Sequence, residues 1–88
     1  MKFKFDAAKN ERNIRERGIP FELAADFDWE SALVVPSDRR GEARYFALGF
    51  IGAKLHALAF TKRGQNVRVT SLRRANKKEA ERYEKAKP

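Results

Sequence analysis

The runs over 44–51 and 54–62 constrain the fold more than any other part of this chain. Both read as strands flanking Gly52-Ala53, and both are apolar on two faces. Phe46, Leu48 and Phe50 alternate with Tyr45, Ala47 and Ile51, and Leu58 and Phe60 alternate with Leu55, Ala57 and Ala59. Successive side chains of a strand point to opposite faces, so both sides of this hairpin need a cover. A sheet with one wet face is therefore excluded; helices, a second subunit or a protein partner must lie against each side. At 88 residues the chain supports a single domain, 1–88, with one small core.

The flanking segments supply the covers. Phe3 and Phe5 alternate with Lys2 and Lys4 as a short strand, and Asp6 is placed to cap a helix over 7–16 that Gly18 closes. Pro20 suits the first turn of a second helix, in which Phe21, Leu23, Ala24 and Phe27 form an apolar stripe and Glu22, Asp26, Asp28 and Glu30 stay wet. A strand over 32–35 ends at Pro36, followed by a polar loop over 37–42. A short turn at 63–66 leads into a strand reaching Leu72, which makes the last three strands a meander. Asn76 and Glu79 have the spacing of a capping box that opens a final helix through Glu84, with a thin apolar stripe at Ala80 and Tyr83. The expected fold is a compact α+β domain of order β-α-α-β-β-β-β-α. A curved antiparallel sheet carries the two N-terminal helices on one face and the C-terminal helix on part of the other.

Charge is concentrated at one end. Residues 61–88 hold ten of the twenty Lys and Arg but three of the twelve Asp and Glu, whereas residues 1–60 nearly balance and 18–38 contain no cation. Converging cations on a folded surface suit a phosphate backbone, so nucleic acid is the expected partner. Nine charges in the first 17 residues rule out a secretory signal there, and no run approaches the roughly 20 apolar residues that span a bilayer. A cytoplasmic protein with no membrane partner is expected. Without Cys, thiol chemistry and thiolate metal sites are excluded.

Several short motifs occur in a fixed order: Asp6, Lys9, Asn13, Gly18 and Phe21; Glu42-Ala43-Arg44 leading to Phe46 and Gly49; Thr61-Lys62-Arg63-Gly64; then 68–75 with Glu79 and Tyr83. In order and spacing this series resembles the BrnT toxin family along almost the whole chain. The resemblance implies a small RelE-like domain that cleaves RNA and blocks translation. It also implies an antitoxin, BrnA, that restrains the toxin and supplies a ribbon-helix-helix DNA-binding part, with a homodimer possible inside the complex. The family commonly has Lys-His-Gly where this chain has Glu16-Arg17-Gly18, so any role of that histidine is absent here.

RNA cleavage without a metal needs a base for the 2′-hydroxyl, cations for the pentacovalent phosphorane and an acid for the leaving oxygen. Arginine suits the second task because its planar fork grips two phosphoryl oxygens and stays charged. Arg63 and Arg73 are the leading catalytic candidates, with Thr61 as a phosphate hydrogen-bond partner and Glu79 as a possible base. Lys62, Arg68, Arg74, Lys77 and Lys78 are expected along the RNA backbone, and Tyr83 as a proton donor or base-stacking residue. His56, mid-strand between Leu55 and Ala57, reads as packed. The acidic run Glu22, Asp26, Asp28 and Glu30 lacks the loop pattern of a calcium or magnesium site, so no metal or other cofactor is expected. The same basic surface also fits a non-catalytic RNA- or DNA-binding module, or a degenerate toxin kept as an interaction subunit.

Overall fold

The computed structural model describes residues 2–37 and 43–86. Five strands, β1 (Lys2–Lys4), β2 (Leu33–Pro36), β3 (Arg44–Ile51), β4 (Lys54–Arg63) and β5 (Asn66–Arg74), form an open sheet of order β1-β5-β4-β3-β2. Helix α1 (Ala7–Arg17) follows β1, and α2 (Lys77–Ala86) ends the chain. The sheet is mixed rather than antiparallel throughout, because β1 runs parallel to β5. The second expected helix is a 3₁₀ segment, Phe21–Asp26. The expected 37–42 loop lies, apart from Ser37, outside the described residues, as does Glu42 of the motif series.

One face of the sheet holds the main core. Phe21, Ala24 and Phe27 from the 3₁₀ segment and its exit pack on Ala47, Leu58, Phe60, Val67, Val69 and Leu72. Burying each large side chain contributes about 1.5–3 kcal/mol relative to exposure. A short, tightly wound segment suffices as a cover because Phe21 and Phe27 are large and the chain then pairs with the sheet. Phe27 bridges to Ile51, and the Asp28 N–H donates to the Phe50 carbonyl at 2.9 Å. The Phe27 ring also packs against Gly49, where a Cβ would come within 2.5 Å of it. That close approach explains glycine at this position in a strand.

Helix α1 is not the apolar cover that a two-helix layer requires. It is capped as expected, with Asp6 Oδ1 accepting from Ala8 N at 2.8 Å and Gly18 closing it at φ 70°. Its one large apolar residue, Ile14, is 42% exposed, and its buried residues are Asn10 and Asn13. Asn13 Nδ2 donates to the Leu72 carbonyl at 2.7 Å while Asn13 Oδ1 accepts from the Leu72 N–H at 3.5 Å. Because β1 pairs only with residues 66–68, the rest of that edge of β5 lacks a strand. The Asn13 amide stands in for one there, satisfying a buried donor and acceptor together. Asn10 Oδ1 similarly accepts from Phe21 N at 2.8 Å and anchors the start of the 3₁₀ segment.

The opposite face has two halves. At one end α2 covers a second cluster of Leu48, Ala57 and Tyr83, with Leu33, Phe46, Phe50, Leu55 and Ala75 around it. The other end carries no helix among the described residues. The boundary between the halves coincides with a β-bulge in β5. Phe60 pairs with Val69 but Ala59 pairs with Ser71, leaving Thr70 extra. The bulge moves Leu72 into the main core and turns Arg73 toward α2.

Candidate functional site

The half of this face that α2 leaves uncovered among the described residues holds a row of polar residues in register. Arg44 pairs with Thr61, Thr61 with Arg68, and Arg68 with Lys4, so residues of four adjacent strands share one face. At about 4.8 Å per strand the row is roughly 14 Å long. The two-residue turns Gly52-Ala53 and Gly64-Gln65 fix this register, since each strand restarts directly opposite the end of its predecessor. Thr61 is buried, whereas Lys4, Arg44 and Arg68 are exposed. Arg63 and Asn66, two residues further along β4 and β5, extend the same face.

Two hollows follow the row. One, of about 160 Å³, is lined by Lys4, Thr61, Arg63, Asn66 and Arg68. The other, of about 140 Å³, lies among Ser37, Arg44, Phe46, Ala59 and Thr70. Exposed guanidinium and ammonium groups thus flank the buried Thr61. The arrangement can bind phosphate oxygens and stabilise charge that builds on them.

Arg73 and Glu79 occupy the other end of the face and hold each other. Arg73 Nη1 and Nη2 donate to Glu79 Oε1 and Oε2, each at 2.7 Å, in a bidentate pair. The expected capping box is complete: Asn76 N donates to Glu79 Oε1 at 2.9 Å and Glu79 N to Asn76 Oδ1 at 2.8 Å. The hydrogen bond from Arg73 holds the Glu79 carboxyl below the usual carboxylate range, against the opposing effect of burial and with help from the Asn76 N–H. The same hydrogen bond raises Arg73 further above its ordinary value. Glu79 is therefore ionised but its oxygens are engaged, a poor arrangement for a proton acceptor and a good one for seating α2 on the sheet.

The candidates named from sequence divide accordingly. Thr61, Arg63 and Arg68 converge on the open half. Arg73 lies inside β5 opposite Ala57, and Arg63 lies six residues further along β4 (63 − 57 = 6), about 20 Å away at roughly 3.3 Å per residue. The two arginines therefore do not meet. Lys62 and Arg74 are exposed on the main-core face, at opposite ends of their strands. Lys77 and Lys78 are exposed in the first turn of α2, near the Arg73–Glu79 pair in sequence but with their side chains in solvent.

Tyr83 is not on the expected RNA surface. It is 4% exposed, meets Phe50 edge to face at 5.6 Å, and donates its hydroxyl to the Ser31 carbonyl at 2.9 Å. As the thin apolar stripe of α2, it is consumed in attaching that helix. His56 is buried, with Nδ1 2.8 Å from the Lys54 carbonyl, in keeping with a packed role.

Lys4 and Arg44 belong to the row as well; Arg44 stands in the motif series but is not among the expected site residues, and Lys4 is in neither. Counting back from the Gly52-Ala53 turn places Arg44 opposite Thr61, so the sequence does carry that signal. The parallel pairing that brings in Lys4 leaves no comparable trace.

A family model described as ribonuclease toxin, BrnT, of type II toxin-antitoxin system matches the chain over residues 5–79. The matched span runs from Phe5 to the Glu79 carboxylate and contains Arg44, Thr61, Arg63, Arg68 and Arg73. No curated protein matches the chain.

Proposed function

This chain belongs to the BrnT family of ribonuclease toxins of type II toxin-antitoxin systems, and on that premise we propose that it is an endoribonuclease whose RNA cleavage blocks translation in the cytoplasm. A small BrnA-like antitoxin with a ribbon-helix-helix part restrains it. The observation that carries this reading is the cationic row Arg44–Thr61–Arg68–Lys4 with Arg63 beside it, on the half of the sheet face that α2 leaves uncovered. In the proposed reaction the ribose O2′ passes its proton to a solvent water as it bonds to phosphorus. The P–O5′ bond then breaks and O5′ regains a proton, leaving a 2′,3′-cyclic phosphate and a 5′-hydroxyl. Arg63 and Arg68 stabilise the dianionic phosphorane, and Thr61 hydrogen-bonds a non-bridging oxygen. Arg73 and Glu79 act by holding α2 in place, while Lys62, Arg74, Lys77 and Lys78 add attraction at longer range.

The test is incubation of the purified protein with end-labelled RNA in EDTA. New ends carrying cyclic phosphate support the proposal; intact RNA under conditions where it is bound refutes cleavage. The closed Arg73–Glu79 pair favours a second reading, an RNA-binding subunit that does not cut, and the same assay separates the two.

A further inference from the structure

We propose that the groove between α1 and β5 is a second subsite for the RNA backbone, continuous with the cationic row across the bulge and selective for ribose. The inference rests on the reading of the chain as an RNA-binding toxin. The groove has a volume of about 200 Å³, and Lys9, Arg12 and Arg17 of α1 line it opposite Thr70 and Ser71. Thr70 also lines the hollow beside Arg44, so one residue borders both cavities. A strand laid along the row can therefore pass over the bulge into the groove without leaving the surface.

The charges in the groove are not balanced internally. Glu16 is its one carboxylate, and Arg12 Nε holds it at 3.1 Å. Lys9 and Arg17 have no carboxylate partner among the described residues. Lys9 sits in the first turn of α1, where a cation opposes the helix dipole. Helix stability therefore does not account for it, whereas attraction to phosphate does.

The bulge supplies the selectivity. It places the consecutive residues Thr70 and Ser71 on the same face, where a regular strand would separate them. Thr70 Oγ1 donates its proton to the Ala59 carbonyl at 3.1 Å, which leaves the oxygen able only to accept. A phosphate oxygen cannot donate to it, but a ribose 2′-hydroxyl can. Ser71, whose hydroxyl can donate, suits the adjacent phosphate.

The experiment measures binding of fluorescein-labelled single-stranded RNA and of DNA of the same sequence across a salt series. Measurements are made in EDTA in the cold, with RNA integrity checked on a gel. Lys9→Glu with Arg17→Glu should weaken RNA binding at least tenfold and flatten the log–log salt slope by about 1.4, the loss of two phosphate contacts. Lys54→Glu, at the distant β3–β4 turn, should leave both unchanged. Thr70→Val should lower RNA affinity about threefold to tenfold while DNA affinity holds. If the double reversal melts early, Lys9→Gln with Arg17→Gln should show a smaller loss in the same direction. Wild-type RNA binding that neither pair of substitutions alters overturns the subsite alone. Loss of antitoxin capture with RNA binding intact also overturns it, assigning the groove to a protein partner. Failure of the wild-type chain to bind RNA at all overturns the functional reading and the subsite together.

Discussion

Arg63 and Arg73 are the same residue near the ends of neighbouring strands, yet the fold uses them in opposite ways. Arg73 lies at the closed end of the second sheet face, gripped by both oxygens of Glu79 beneath α2. Arg63 is exposed at the open end, beside Thr61, Arg68 and Asn66. Positive charge in the C-terminal third therefore has two separate uses: at one end it fastens a helix, and at the other it faces solvent where a polyanion can approach. Residue type alone does not distinguish them; strand register and the bulge do.

The largest effect is expected on the rate of RNA cleavage. Arg63→Ala combined with Arg68→Ala should reduce RNA cleavage roughly a hundredfold to a thousandfold, as expected for loss of about 3–4 kcal/mol of transition-state stabilisation. The melting curve should stay within about 0.5 kcal/mol of wild type, because neither side chain is buried. Single-turnover cleavage and thermal denaturation together check this.

Gly49→Ala should act on the fold and not on the surface. Its methyl group would press into the Phe27 ring, costing about 1–3 kcal/mol by overpacking. Chemical denaturation should register the loss, while RNA affinity of the protein that remains folded should be unchanged.

Arg73→Ala should cost about 1–3 kcal/mol, because it leaves the Glu79 carboxylate partly buried without its partner. Its effect on RNA affinity should stay below about twofold, since the lone carboxylate it leaves lies about 20 Å from the open row, beyond a Debye length. The pH dependence follows from the lowered Glu79 pKa. A group with a depressed folded-state pKa contributes fully above its unfolded-state value and loses that contribution as pH falls through the folded one. The stability gap between wild type and Arg73→Ala should therefore be flat near neutral pH and shrink in the acid range below the ordinary glutamate pKa. Denaturation curves at a series of pH values read this directly.

The smallest effect is expected from Lys77→Gln with Lys78→Gln. Both lysines oppose the dipole in the first turn of α2, so stability should rise by about 0.3–1 kcal/mol. RNA affinity should fall less than in the Arg63 and Arg68 variants. A loss equal to theirs would place the RNA path across α2 and blur the distinction between the two ends.

Much of this architecture is legible in the sequence for physical reasons. Two-faced apolar alternation announced strands covered on both sides, and Asp6, Gly18 and the Asn76–Glu79 pair marked helix ends through bonds that their side chains or backbone make. The closed role of Arg73 was harder to read because it depends on the bulge. Val67 and Val69 keep the strand period, but the next buried residue is Leu72, three positions on, and that break marks the extra residue. Without the bulge Arg73 would face the main core instead of α2. Asn13 stands in the motif series, and Asn10 is a polar residue three positions before it on a helix with little apolar stripe. Their value comes from a sheet edge that β1 leaves short, a tertiary circumstance with no local signature. Tyr83 reads as a proton donor or stacking residue because it shares a helix face with Glu79, yet α2 has so few apolar side chains that the helix needs it for attachment.

The location of the site is tested most directly by backbone amide chemical shifts of the isotopically labelled protein, followed as a short 2′-O-methyl RNA that cannot be cleaved is added. The largest changes are expected at Arg44, Thr61, Arg63 and Arg68, with little change at Arg73, Glu79 and Tyr83. Changes centred on α2 and the Arg73–Glu79 pair, with the open row undisturbed, would contradict it.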